Sequence, residues 1–330
     1  KEMIDCNKEI TNFYNEKVRL KDVWKTLGKY REANLTRLSN GLTKNSNPQY
    51  SDSINQGSYA MSTIIQHPDN DYDIDIGIIF TKDALKGTQG GDKTALDTRK
   101  MVCEAMQDDK FKKQPAVLKN CVRVYYDEGH HVDMAIYRKY TNDSGDEIQE
   151  LASSDWEESD PEAITKWFNK AVVNKSPDEN NGKQLRRIVR LLKKWARSRN
   201  SWNMPSGLIL SILSEECYVS VLNRDDDSFY KTIKAIKNRL YFNKVVNNPT
   251  NGKEITSSDK HKNKVQNLYD KLTEMFDSTK GINLSELETT QDKKKALLIW
   301  KKFFNDDFFE SQVENVAKSA ILTPNQPWRT

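Results

Sequence analysis

The spacing of apolar side chains changes character twice along the chain. In the first 50 residues they recur three and four positions apart, which predicts helix. The positions with this spacing are Ile10, Phe13, Tyr14, Leu20, Val23, Trp24, Leu27, Leu35, Leu38 and Leu42. Gly41 and the cluster from Asn45 to Pro48 are expected to end the helical stretch.

From about Ser53 to Tyr140 the pattern predicts strands. Apolar and other residues alternate in two runs, 73–78 and 131–136, and a third β-rich run covers 122–126. The spacing over Leu96–Met106 predicts an intervening helix, and Thr141–Glu150 is expected to be a polar bridge.

The last part of the chain has helical spacing throughout. The predicted helices are Pro161–Asn174, Lys183–Arg199, Ser206–Asn223, Asp227–Asn243, Asp259–Ser278 and Gln291–Phe304. The order predicts an α+β fold with two lobes and a cleft between them. We divide it into an N-terminal helical segment packing across the lobes (1–50), a mixed α/β core (51–155) and a helical domain (156–330). The segment from Pro324 to Thr330 is expected to be an extended tail.

Composition excludes some classes of protein. The chain has 330 residues, 36% hydrophobic and 30% charged, and no apolar run long enough to span a membrane. Its four cysteines lie far apart without a Cys-x-x-Cys pair, which favours a reduced, cytoplasmic protein without a zinc module. A net charge of +4 is too small by itself to indicate a nucleic-acid partner.

Three acidic residues are the first candidates for chemistry. Asp73 and Asp75 lie two apart in a predicted strand, so both carboxylates project from one face, and Asp133 repeats the arrangement in another strand. If the strands are neighbours, the carboxylates converge and need a counter-charge, for which Mg²⁺ or Mn²⁺ is suited. Two such ions can activate a hydroxyl nucleophile and stabilise a leaving pyrophosphate. A lone Asp-x-Asp is usually a solvated strand edge. Asp69 and Asp71 share the spacing, and we expect them to be solvated loop acids.

Phosphate-binding groups are found on both sides of these acids. Gln56-Gly57-Ser58 ends 15 residues before Asp73, and a short helix beginning there would offer free N–H groups to a phosphate. Between Gly182 and Arg199 there are eight Lys or Arg and no Asp or Glu. Four of these basic residues share one face of the predicted helix: Arg186, Arg190, Lys193 and Arg197. A solvated basic face is the alternative interpretation.

Together these residues resemble the cGAS/DncV-like nucleotidyltransferases (CD-NTases) of bacterial anti-phage defence, in the DNA polymerase β superfamily. The shared pattern is Gly-Ser, Asp-x-Asp and a third Asp, which here are Gly57-Ser58, Asp73-Ile74-Asp75 and Asp133. The run Arg190–Trp195 followed by Pro205-Ser206-Gly207 resembles the family's helix with a phosphate-binding lysine and the start of its neighbour. No zinc-binding cluster follows Asp133, which removes the main reason to expect activation by double-stranded DNA. His130 and His131 are expected to have a structural or strand-end role.

The resemblance implies a two-lobed, polymerase β-like fold in which 51–155 is the catalytic core. It assigns Asp73 and Asp75 to two Mg²⁺ or Mn²⁺ ions and Asp133 to the ion that activates the nucleophile. The donor triphosphate would be held by a further set of residues: Gln56, Gly57, Ser58, Lys193 and, as a weaker candidate, Ser206.

The implied activity is synthesis of a cyclic di- or trinucleotide second messenger from nucleoside triphosphates, ATP among them, in anti-phage signalling. The resemblance requires no nucleic acid and no membrane, and it allows an accessory regulatory protein and an effector that binds the product. Two alternatives stay open, a template-independent RNA-terminal nucleotidyltransferase and a non-catalytic nucleotide or nucleic-acid sensor with the same fold.

Overall fold

The structure, a computed structural model, describes residues 3–69, 72–87, 89–179, 183–277, 279 and 281–321. These residues form two compact units. The sheet unit is Leu20–Asn169, and the helical unit contains the described parts of Lys1–Arg19 and Lys170–Thr330. Asp71 and the predicted tail Pro324–Thr330 lie outside the described residues. No helix in the described part of the chain is both long and apolar enough to cross a membrane.

Strands and helices are numbered along the chain. The strands are β1 (Asp52–Gln56), β2 (Asp73–Thr81), β3 (Ala116–Val117), β4 (Val122–Tyr125), β5 (His131–Thr141), β6 (Glu147–Ala152) and β7 (Trp156–Glu158). The α-helices are α1 (Asn7–Phe13), α2 (Val23–Lys44), α3 (Gly57–Ala60), α4 (Ala95–Ala105), α5 (Pro161–Lys175), α6 (Gln184–Ala196), α7 (Gly207–Glu216), α8 (Asp225–Phe242), α9 (Asp259–Met275), α10 (Lys293–Phe304) and α11 (Phe308–Ile321).

In the described part of the sheet unit, all seven strands belong to one mixed sheet. Its main order is β1-β2-β5-β4-β3, and β6 pairs with both β5 and β7. The two central strands, β2 and β5, are parallel, while the other pairs are antiparallel. The sheet therefore places β2 and β5 side by side, which is the condition for the acidic residues to converge.

Alternation along β2 and β5 separates an apolar face from a polar face. The residues that point into the core are fully buried: Ile74, Ile76, Ile78, Val132, Met134 and Ile136. They pack with leucines of α2 and with residues of α4 in one hydrophobic cluster. Each buried aliphatic side chain of this kind stabilises the fold by about 1.5–3 kcal/mol. This packing fixes which residues of β2 and β5 are left on the polar face.

Helix α2 runs through Gly41 and ends at Lys44, so the expectation that Gly41 helps to end it is wrong. A Cβ atom on Gly41 would lie 1.8 Å from the carbonyl oxygen of Ala105. The glycine is there because α2 and the end of α4 approach closely at this point. The cluster beginning at Asn45 does follow the helix end, as predicted.

The stretch predicted as a polar bridge, Thr141–Glu150, is a hairpin. Strand β5 continues to Thr141, and β6 begins at Glu147 and pairs antiparallel with it. The residues are polar because this end of the sheet is exposed or half-buried. Antiparallel strands can face water, so polar residues are compatible with the pairing of β5 and β6.

Aromatic side chains dominate the core of the helical unit. Trp195 of α6 stacks on Phe303 of α10 with ring centroids 5.2 Å apart. Phe13 of α1 packs on Phe304 at 4.6 Å, which ties the N-terminal helix to this unit. The predicted helices are present, although α7 ends at Glu216, before the predicted Asn223.

Helix α6 buries several of its basic side chains as well as its apolar face. Of the four residues on the predicted basic face, Arg190 and Lys193 are 9% and 4% exposed, so the interpretation of a solvated face is wrong for them. Arg186 is half-buried and Arg197 is exposed. Arg187 donates to Asp225 and Asp178, and Arg190 donates to the hydroxyl of Tyr14. Buried cations at this density need partners or a ligand of opposite charge.

Candidate active site

Four polar side chains are aligned across the sheet, one on each of four neighbouring strands. The backbone register pairs Gln56 with Asp75, Asp75 with Asp133, and Asp133 with Arg123. Paired residues in a sheet project from the same face, so these four form one line. We call this line the cross-strand row (Gln56, Asp75, Asp133 and Arg123). It places Asp75 and Asp133 side by side, as the sequence required if their strands were neighbours.

Asp73 lies one step along β2 from the cross-strand row and is paired in register with His131. Its carboxylate oxygen Oδ1 is 3.4 Å from Nδ1 of His131 and 3.8 Å from Nη2 of Arg123. Half of the Asp73 side chain is exposed. Asp73, Asp75 and Asp133, the carboxylate triad, thus share one face of the sheet with a graded exposure, and Asp73 is the member most open to solvent.

Asp75 has an unusual acidity. Its pKa is raised from 3.8 to about 7, mainly by burial and also by the negative charges of Asp133 and Asp73, while the positive charge of Arg123 opposes the rise. A half-buried carboxyl beside two others is costly to ionise without an added positive charge. The raised pKa of Asp75 therefore indicates that the positive charge of Arg123 does not offset the burial and the neighbouring carboxylates.

Gly57 brings the backbone against the Asp75 carboxylate. Helix α3 begins at Gly57, directly after β1, as the sequence predicted for a short helix there. The glycine has φ +57°, and a Cβ atom at this position would lie 2.1 Å from Oδ2 of Asp75. Glycine is required both by the left-handed backbone and by the close approach. Ser58 is the next residue of α3 and is half-buried.

Gln56 is anchored on the sheet. Its side chain is 8% exposed, and its Nε2 atom donates to the hydroxyl of Tyr137 at 3.0 Å. To reach Tyr137 it crosses over Gly77, where a Cβ atom would lie 2.6 Å from Nε2. Tyr137 could not be predicted as a neighbour of Gln56 from the sequence, because the contact depends on the register of three strands.

Arg123 is a site residue that sequence reasoning missed. Its Nε donates to Oδ1 of Asp133 and its Nη2 donates to Oδ2, both at 2.7 Å. The two carboxylates nearby raise the pKa of the guanidinium, with the hydrogen bond to Asp133 as the largest cause. The alternation of Arg123 within a β-rich run could have placed it on the polar face, but not opposite Asp133.

His131 begins β5, as expected of a strand-end residue, and its closeness to Asp73 was not foreseen. His130 is 6% exposed and stacks on Tyr72 at 5.3 Å between ring centroids. These contacts fit a structural role for His130 at the edge of the sheet.

Lys193 and Ser206 belong to the helical unit, where they lie close together. Ser206 caps α7, accepting a hydrogen bond from the N–H of Ile209 at 3.4 Å. A Cβ atom on the adjacent Gly207 would lie 3.2 Å from Nζ of Lys193. The pKa of Lys193 is lowered from 10.5 to about 7, mainly by burial and also by the positive charges of Arg197 and Arg190. A buried ammonium beside a helix N-terminus is a favourable place for an anion such as phosphate.

The carboxylate triad has the chemistry of a divalent-metal site. Hard oxygen ligands on adjacent strands, one of them with a raised pKa, suit Mg²⁺ or Mn²⁺. Among the residues that the structure describes, however, no three His, Cys, Asp or Glu side chains are gathered closely enough to hold a metal ion. Both oxygens of Asp133 face Arg123 instead. The donor set fits the ions, and Asp133 would have to turn to join it.

Comparison with known proteins matches this part of the chain to one family. Residues 52–137 match the family model described as the nucleotidyltransferase domain of Cyclic GMP-AMP synthase DncV-like proteins. The matched segment contains Gly57, Ser58 and the carboxylate triad. Lys193 and Ser206 lie outside it.

One curated relative is a Cyclic GMP-AMP synthase from Escherichia albertii, 29% identical over 213 residues. The alignment covers 61% of this chain and 45% of that protein, so the chain spans less than half of the relative's length.

Solved structures share the fold over nearly the whole chain. Vibrio cholerae DncV cyclic AMP-GMP synthase, in complex with the linear intermediate 5′ pppA(3′,5′)pG, has a TM-score of 0.69 at 15% identity, covering 95% of this chain and 98% of that one. Escherichia coli MS115-1 CdnC with ATP has a TM-score of 0.64 at 17% identity, covering 93% and 99%. The predicted α+β, polymerase β-like nucleotidyltransferase fold and the resemblance to the cGAS/DncV-like group are both confirmed.

Proposed function

We propose that this chain, a nucleotidyltransferase of the bacterial cGAS/DncV-like group, joins nucleoside triphosphates into a cyclic di- or trinucleotide. The observation that carries the proposal is the pairing of Asp75 with Asp133 on adjacent parallel strands, with Asp73 on the same face. A non-catalytic relative has no need to keep three carboxylates at such electrostatic cost.

The carboxylate triad is the metal-binding part of this proposal. Asp73 and Asp75 would hold two Mg²⁺ or Mn²⁺ ions, with Asp133 joining them at the ion nearest the nucleophile. Such ions, when bound, lower the pKa of a ribose hydroxyl and neutralise charge on the transferring phosphate and the leaving pyrophosphate. Ionised Asp75 becomes the stable form at neutral pH once this positive charge is present.

The chain's own polar groups hold the donor nucleotide. The N–H groups at the start of α3 and the hydroxyl of Ser58 bind its phosphates beside Asp75. Gln56 supports this turn through its hydrogen bond to Tyr137. In the helical unit, Lys193 binds phosphate oxygens, with Ser206 next to it, because a partly deprotonated buried lysine gains its proton and its partner together.

The reaction is two successive phosphoryl transfers. A ribose hydroxyl of the acceptor attacks the α-phosphorus of the donor and forms a phosphodiester bond. The bond from the α-phosphorus to the oxygen that bridges to the β-phosphate breaks, and pyrophosphate leaves. A second attack within the linear product closes the ring. Because the protein forms no covalent bond with the substrate, positioning and charge neutralisation provide most of the rate. As in the resembling group, we propose that the product is a second messenger in anti-phage signalling.

Release of pyrophosphate from ATP and GTP with Mg²⁺ tests the enzymatic part of the proposal. The wild type should release it, whereas Asp75→Asn should lose at least about 10³-fold in rate. Asp127→Asn, which removes an exposed carboxylate paired with Lys112, is the matched control and should keep the rate. Binding of ATP without any pyrophosphate release would favour a nucleotide sensor instead.

A further inference from the structure

The carboxylate of Asp133 lies between a proposed metal ligand, Asp75, and a hydrogen-bond donor, Arg123. In the cross-strand row it stands between Asp75 on β2 and Arg123 on β4. A metal ion shared with Asp75 needs an oxygen of Asp133 on one side, and Arg123 lies on the other. In the structure both oxygens are turned to Arg123, each at 2.7 Å from a guanidinium nitrogen.

The contact between Arg123 and Asp133 is stronger than an ordinary surface ion pair. It is a two-bond fork between a planar guanidinium and a carboxylate, the geometry in which such pairs bind best. The side chain of Asp133 is 14% exposed and that of Arg123 is 28% exposed, so water screens the pair only in part. The same guanidinium is 3.8 Å from Asp73, so it contacts two members of the carboxylate triad.

The fork engages both oxygens of Asp133, which a metal site shared with Asp75 would also need. No metal-binding group of three or more ligands is present among the described residues, although the triad shares one face of the sheet. Part of what a divalent ion would supply, positive charge beside clustered carboxylates, is supplied here by Arg123. A metal ion and Arg123 would therefore both bring positive charge to the carboxylate oxygens of Asp133.

We propose that Arg123 is a built-in counter-ion that competes with divalent metal for Asp133, so that loading of the site requires the fork to open. This rests on the proposed function, since it concerns the same metal site. Arg123 is a positioning residue in this scheme, because it acts on the reaction through Asp133. Competition by Arg123 makes the affinity of the site for metal lower than that of the three carboxylates alone. Loading of the site therefore depends on the metal concentration, or on metal arriving with the nucleotide.

Binding of Mn²⁺ to the purified full chain, followed by electron paramagnetic resonance of the free ion, tests this directly. Arg123→Lys keeps the positive charge but loses the two-bond fork, and Arg123→Gln loses both. We expect Arg123→Lys to bind Mn²⁺ roughly threefold to tenfold more tightly than the wild type, and Arg123→Gln to bind it more tightly again.

The matched control is Arg138→Lys. Arg138 lies on β5, is 9% exposed, and forms ion pairs with Glu150 and Asp92, away from the carboxylate triad. The same substitution there should leave the affinity for Mn²⁺ unchanged. If Arg123→Lys binds Mn²⁺ no more tightly than the wild type, the proposal is overturned. This variant keeps the positive charge but cannot form the two-bond fork, so competition by the fork must disappear in it.

Failure of this inference and failure of the proposed function give different results. If the wild type does not bind Mn²⁺, or Asp75→Asn binds it equally well, the proposed metal site itself is wrong. If the Arg123 variants do not fold, a crystal structure of the wild type with Mn²⁺ shows whether the contact between Arg123 and Asp133 opens when the metal binds. An open fork with Asp133 on the ion supports the proposal, and an intact fork with Asp133 on the ion contradicts it.

Discussion

Gly57 and Asp75 are in such close contact that a single added carbon atom cannot fit between them. A Cβ atom on Gly57 would lie 2.1 Å from Oδ2 of Asp75 and 2.9 Å from its Cγ. The start of α3 and the carboxylate of Asp75 therefore have their positions set by each other. The contact joins the two halves of the family's motif in space, although 15 residues separate Ser58 from Asp73 in sequence.

This contact predicts the effect of Gly57→Ala. The new methyl group must push the Asp75 carboxylate away, and we expect a loss of about 10²-fold or more in the rate of pyrophosphate release. The left-handed φ adds a loss of about 1–2 kcal/mol in the free energy of unfolding. Gly145→Ala is the control, because Gly145 also has a positive φ, +86°, with no atom within 4 Å of its Cβ position. If both variants lose only stability and keep the rate, the contact is not needed for catalysis.

The raised pKa of Asp75 predicts how stability depends on pH in the absence of metal. Between about pH 4 and about pH 7 the folded protein keeps a proton on this carboxyl that the unfolded chain has lost. This group therefore lowers the free energy of unfolding as the pH rises through that window. Asp75→Asn should remove the effect and stabilise the metal-free protein by roughly 1–3 kcal/mol at pH 8.

Denaturant unfolding at pH 5 and pH 8 measures this dependence. Asp127→Asn, at an exposed carboxylate, is the control and should follow the wild type. Adding Mg²⁺ at pH 8 should stabilise the wild type and not Asp75→Asn, because an ion that binds only the folded state shifts the equilibrium towards it. Equal profiles for wild type and Asp75→Asn would mean that Asp75 ionises as an ordinary carboxylate.

The lowered pKa of Lys193 predicts an uptake of protons on nucleotide binding. At pH 8 much of the free side chain is neutral, and a phosphate group beside it restores the charged form. Calorimetry of ATP binding in buffers of different ionisation enthalpy should show this uptake in the wild type. Lys193→Met should lose it and weaken ATP binding by about 10-fold to 100-fold.

The same variant has an expected effect on stability. Between about pH 7 and about pH 10.5 the unfolded chain holds a proton that folded Lys193 has released, so this group raises stability as the pH increases there. Below that window the buried charge is a cost, and Lys193→Met should be more stable than the wild type at pH 7. Lys166→Met, which removes an exposed lysine, is the control. Unchanged ATP affinity in Lys193→Met would remove Lys193 from the nucleotide site.

Sequence alone was sufficient for the parts of the site that depend on local pattern. Alternation in β2 and β5 predicted which residues face the core, and the spacing of Asp73, Asp75 and Asp133 placed them on the polar face. Helical spacing also predicted the apolar side of α6. These features depend on two or three neighbouring residues and on a strong apolar period.

The features that sequence missed depend on register between distant segments. Arg123 meets Asp133 only because β4 pairs with β5, and Gln56 reaches Tyr137 only across β2. Gly41 was misread because a glycine inside a helix has the same sequence signal whether it ends the helix or permits close packing on Ala105. The N-terminal residues up to Arg19 and those from Leu20 onward belong to different units, although both are helical in pattern.

The central claim is that the carboxylate triad makes a cyclic product, and mass spectrometry of that product tests it most directly. The wild type is incubated with the four ribonucleoside triphosphates and Mg²⁺ or Mn²⁺, and the mixture is treated with phosphatase. We expect a phosphatase-resistant species with the mass of a cyclic di- or trinucleotide, absent with Asp75→Asn and present with Asp127→Asn. Extension of an added RNA end with no cyclic species, or the same cyclic species from Asp75→Asn, would contradict the account.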